Sequence, residues 1–88
     1  MHTLILLSGK QETGKTRLCR LLRNAVEIEE ADNKLIHVLI KEIENESHFY
    51  ETVVVTTQET GKIYLNNLEK PLKEFTEKHK LNFLKYVL

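Results

Sequence analysis

The sequence predicts an α/β domain with a small, mainly parallel sheet and flanking helices. Three observations carry this expectation. Short apolar or β-branched runs alternate with stripes of apolar residues at helical spacing along the whole chain. The connections between them are only a few residues long, as βα units require. The 88 residues contain no linker or low-complexity tract, so residues 1–88 read as a single domain.

The elements follow in order. His2 to Leu7 is a short apolar run stopped by Ser8 and Gly9, and reads as a fully buried strand. Lys15 to Asn24 reads as a helix, with Leu18, Leu21 and Leu22 on one face and Arg17, Arg20 and Arg23 on another. Ala25 to Glu29 alternates Val26 and Ile28 with Glu27 and Glu29, the pattern of a short strand. Asp32 or Asn33 is then a candidate cap for a helix running to about Glu46, whose stripe is Leu35, Ile36, Leu39, Ile40 and Ile43. Thr52 to Thr57 is β-branched throughout and reads as a strand. Asn66 or Asn67 is a candidate cap for a third helix, with Pro71 in its first turn and Leu68, Leu72 and Phe75 as its stripe. Asn82 to Leu88 reads as a closing strand, and Lys85 marks it as an edge.

Composition narrows the function. Acidic and basic residues cancel, which gives no overall pull toward nucleic acid or an anionic membrane. The charge is uneven, however: Lys10, Lys15, Arg17, Arg20 and Arg23 cluster near the N-terminus, and Glu27, Glu29, Glu30 and Asp32 follow. A basic end suits an anionic ligand. The single cysteine, Cys19, cannot form an intrachain disulfide and fits a reducing cytoplasm as a buried small hydrophobe. The run Leu4 to Leu7 is too short to span a membrane and lacks the layout of a signal peptide. His2, His37, His48 and His79 have no metal-ligand spacing.

The most informative segment is Gly9, Lys10, Gln11, Glu12, Thr13, Gly14, Lys15, Thr16, a complete G-x-x-x-x-G-K-[ST] phosphate loop between a predicted strand and a predicted helix. Such a loop curls backbone N–H groups around a phosphate, and glycine permits the dihedrals and the close approach. The following helix adds unpaired N–H groups and the positive end of its dipole. Lys15 is placed to reach the β- and γ-phosphates and Thr16 to ligate Mg2+.

Residues 4–22, LILLSGKQETGKTRLCRLL, resemble the first strand, Walker A loop and first helix of P-loop NTPases, especially small ATPase-like proteins and kinases with an SGKQ-type loop. The resemblance implies a second, polar-ended strand beside the first. TVVVTTQ, Thr52 to Gln58, looks like that strand, which makes Thr57 and Gln58 candidates for orienting a water near the γ-phosphate. It further implies an apolar strand ending in Asp, which helps hold magnesium. This chain has none, and Glu29, Glu30, Asp32 and Glu59 are the candidate substitutes. Glu12 also departs from the family pattern, because a carboxylate beside phosphates is unfavourable unless it points away.

The pentapeptide QETGK occurs twice, at Gln11–Lys15 and Gln58–Lys62. The second copy has Thr56 in place of Gly9 and Ile63 in place of Thr16, so it is not a complete phosphate loop. It also supports a competing fold. Residues 52–65 can be read as a β-hairpin turning at Glu59, Thr60 and Gly61, which would make the domain α+β.

The functional expectation is binding of a nucleotide, ATP rather than GTP because no N-K-x-D motif is present, with Mg2+ as cofactor and with γ-phosphate hydrolysis or phosphotransfer as the enzymatic form. Two readings stand beside it. One is a non-enzymatic regulatory module of P-loop-like fold that contacts a protein partner or a second copy. The other is a nucleic-acid-binding module using Arg17, Arg20 and Arg23, although no aromatic set is interleaved with them.

Overall fold

A computed structural model describes residues 1–10, 13–29 and 31–88. The strands are β1 (Thr3–Ser8), β2 (Ala25–Ile28), β3 (Thr52–Thr57) and β4 (Asn82–Val87). The helices are α1 (Lys15–Leu21), α2 (Ile36–Ser47) and α3 (Lys62–His79), with a 3-10 turn at Ala31–Asn33. The strands form one sheet in the order β2-β3-β1-β4, and every pairing is parallel. The expected α/β architecture is therefore observed, with β4 at an edge as Lys85 suggested.

Right-handed crossovers fix the layers. The connections β2-α2-β3 and β3-α3-β4 run one way across the sheet, whereas β1-α1-β2 runs the other way. Helices α2 and α3 therefore cover one face and α1 the opposite one. Alternation along the strands sorts the side chains accordingly. Leu4, Leu6, Val53 and Val55 pack with Leu39 and Ile43 of α2 and with Leu72 and Phe75 of α3. Ile5, Leu7 and Val54 form a smaller cluster with Cys19 of α1.

Several sequence expectations are corrected. The hairpin reading of residues 52–65 fails, because Ile63, Tyr64 and Leu65 lie in α3. The reason is lateral: β3 is paired by β1 on one side and β2 on the other, so no edge remains for a return strand. Helix α3 begins at Lys62 with Gly61 as its N-cap, not at Asn66 or Asn67, and Pro71 is inside the helix rather than in its first turn. Burial of Leu65 extends the apolar stripe one turn earlier than the cap residues suggested. Helix α2 is preceded by Leu35, so neither Asp32 nor Asn33 caps it. Helix α1 stops at Leu21, short of Asn24. Asn24 adopts a left-handed turn at φ 53, a conformation Asn tolerates better than most residues. Its carbonyl accepts from the N–H groups of Glu51 and Thr52, where β2 joins β3.

Candidate functional site

In an all-parallel sheet the strands end on one edge, so the loops after β1 and β3 lie side by side. β1 sends its chain to α1 on one face, and its neighbour β3 sends its chain to α3 on the other. Their divergence creates the crevice at which open α/β sheets bind ligands. The described loop residues Gly9, Lys10, Thr13 and Gly14 follow β1 at that crevice. Gly9 N–H donates to the Thr57 carbonyl at 3.1 Å, which ties the start of the loop to the end of β3.

Both loop glycines resist replacement by a larger residue. A Cβ on Gly9 would lie 2.8 Å from Thr13 Oγ1 and 3.0 Å from Leu88 Cβ. Gly14 has φ +90 and is the N-cap of α1; L side chains rarely adopt that conformation. Within the loop, the Thr13 hydroxyl donates to the Lys10 carbonyl at 2.7 Å. The Lys15 ammonium folds over the loop and donates to the carbonyls of Gly9 and, at 2.9 Å, Lys10. Among the described residues the ion pairs are Lys34–Glu42 and Lys85–Glu69, and neither involves the loop. The charge of Lys15 is thus held by carbonyl dipoles and not neutralised by a described carboxylate. Gln11 and Glu12, two of the expected loop residues, lie outside the described residues, as does Glu30.

Two carboxylates sit close to this edge, in different circumstances. Asp32 Oδ1 accepts from the Thr57 hydroxyl and, at 2.9 Å, from Tyr64 Oη, while Oδ2 accepts from Gln58 N–H at 3.2 Å. It stitches the turn after β2 to the end of β3 and the start of α3. Burial pushes the Tyr64 phenol above its ordinary range, and the neighbouring Asp32 carboxylate adds to the shift. Thr57, a candidate for water orientation, is 1% exposed and its hydroxyl is occupied by Asp32; Gln58 is exposed beside it.

Glu27 was not among the candidate substitutes. Its Oε2 accepts from the Thr16 hydroxyl at 3.3 Å and the Thr56 hydroxyl at 3.1 Å. In sequence Glu27 is an ordinary polar position of an alternating strand. The only available signal was its phase, which sets it on the face opposite Val26 and Ile28. Burial, reinforced by the Glu27 charge, pushes the Cys19 thiol up to about 11, so Cys19 is protonated near neutrality. The remaining candidates, Glu29 and Glu59, are exposed.

Ser8, directly before the loop, is fully buried, and its hydroxyl has no hydrogen-bond partner among the described residues. Among the same residues no three His, Cys, Asp or Glu side chains are grouped to hold a metal, and no helix is long and apolar enough to cross a membrane. Arg17 and Arg20 are exposed on α1, while Arg23 falls in the turn beyond it. Comparison with family models, curated proteins and solved structures found no match to this chain.

Proposed function

We propose that the chain is a P-loop-like nucleotide-binding protein that holds the phosphates of ATP in the loop Gly9–Thr16. The observation that carries this reading is the coincidence of a complete phosphate-loop pattern with the crevice between β1 and β3. The two glycines of the pattern stand where a larger side chain is crowded or strained, and Lys15 brings over the loop carbonyls an ammonium that pairs with no carboxylate among the described residues. On this reading Lys15 exchanges its carbonyl partners for phosphate oxygens, while loop N–H groups bind the rest of the phosphate chain. The hydroxyl of Thr16 serves as a magnesium ligand. Magnesium held there would neutralise phosphate charge.

Binding without turnover is favoured over hydrolysis. The hydroxyl of Thr57, a candidate for orienting the attacking water, is committed to Asp32. A regulatory nucleotide binder in a reducing cytoplasm suits this arrangement and the protonated, buried Cys19. Fluorescent ATP and GTP titrated with magnesium test the reading. Saturable ATP binding is expected, weakened about tenfold or more (about 1.4 kcal/mol) by Lys15→Ala, with no phosphate release. No saturable binding of either nucleotide would sink it.

A further inference from the structure

The geometry points to Glu27 as the carboxylate that completes the magnesium site, supplied by β2 in place of the acid that would otherwise end β3. This inference rests on the nucleotide-binding reading above. The hydroxyl of Thr16, the loop oxygen on the metal side, is already 3.3 Å from Glu27 Oε2. The same oxygen takes the Thr56 hydroxyl at 3.1 Å, which anchors the carboxylate against β3. Glu27 Oε1 accepts no hydrogen bond among the described residues, so the group retains capacity for a cation or its water.

The other described carboxylates fit less well. Asp32 already accepts three hydrogen bonds, from Thr57, Tyr64 and the Gln58 N–H, all of them structural. Glu29 and Glu59 make no side-chain hydrogen bond to the loop among the described residues. The donor chemistry is also suitable. Magnesium prefers hard oxygen ligands, retains several waters, and takes only one or two protein ligands when phosphates supply the rest. A hydroxyl and one carboxylate meet that demand.

Strand register explains how β2 can act here. Glu27 is paired with Val54 and shares its α1-side face, two residues short of Thr56. The glutamate side chain covers that distance along the sheet, and an aspartate would be one methylene shorter.

The test compares ATP affinity with magnesium and with EDTA. In the wild type, magnesium is expected to tighten ATP binding. Glu27→Gln keeps an acceptor for both threonine hydroxyls and is expected to retain magnesium-free binding while losing about tenfold or more of the magnesium-dependent gain. Asp32→Asn is expected to retain that gain. A second measurement needs no variant. Mn2+ added with ATP to the carboxyl-labelled wild-type protein is expected to broaden the Glu27 side-chain carbon resonance more than that of Asp32. An unchanged magnesium gain in Glu27→Gln, or stronger broadening at Asp32, overturns the assignment of Glu27 and leaves the nucleotide reading intact. Absence of any ATP binding by the wild type overturns both.

Discussion

Gly14 and Gly61 occupy the same place in two copies of QETGK and both are N-caps, yet their backbones differ. Gly14 is left-handed at φ 90, whereas Gly61 is extended at φ −62. The flanking residues decide this. In the first copy the strand stops at Ser8 and Gly9 lets the chain fold tightly against Thr13; in the second the strand runs on to Thr57 and the loop is two residues shorter. Gly14→Ala is therefore expected to cost about 1–2 kcal/mol from left-handed strain and to weaken nucleotide binding. Gly61→Ala is expected to cost less, about 0.5–1 kcal/mol, the loss of a favoured N-cap residue without left-handed strain. Urea unfolding of the two variants checks this, and equal losses would contradict it. The loop residues were legible because their pattern is contiguous. Glu27 was not, because its partners Thr16 and Thr56 are 11 and 29 residues away in sequence.

At the scale of elements, α3 shows how burial overrides local signals. Asn66, Asn67 and Pro71 resemble the opening of a helix, but the helix has already begun at Lys62 and is closed by Lys80 in a left-handed cap. Starting earlier buries Leu65 along with Leu68 and Leu72, and that gain exceeds the preference of asparagine for a cap. Pro71 is left mid-helix, where it cannot donate to the carbonyl of Asn67. Pro71→Ala is expected to raise stability by about 1 kcal/mol or more, since proline is roughly 3 kcal/mol worse than alanine in a helix interior and part of that returns through a freer unfolded chain. A fall in the urea midpoint would show instead that packing of the half-buried ring outweighs the missing hydrogen bond. Helix α1 is less than half as long as α3. It leaves Leu21 76% exposed and, with Leu18, Leu22 and Tyr86, borders an apolar groove on its side of the sheet.

Across the whole molecule, the two cores are unequal. The α2–α3 side holds most of the buried residues, and the α1 side holds Ile5, Leu7, Cys19 and Val54. A domain of 88 residues has a modest core, so a bound ligand would add a large fraction to its stability. A ligand at about a hundred times its dissociation constant stabilises the fold by about 2.7 kcal/mol. In a domain of this size that corresponds to a rise of about 10 °C or more in Tm. Magnesium and ATP are expected to produce such a rise in the wild type and little of it in Lys15→Ala. A melting temperature indifferent to nucleotide would contradict the binding reading at the level of the whole fold.

The sequence by itself determined the strand Thr52–Thr57, the amphipathic stripe of α2 and the position of the glycine loop, because periodicity, β-branching and contiguous motifs are local properties. Only the tertiary structure decided that β3 lies between β1 and β2, which excludes the hairpin and makes the sheet wholly parallel. It alone also brought Glu27 of β2 to Thr16 of α1. Strand order and register join segments distant in the chain, and no local pattern encodes which edge a strand will take.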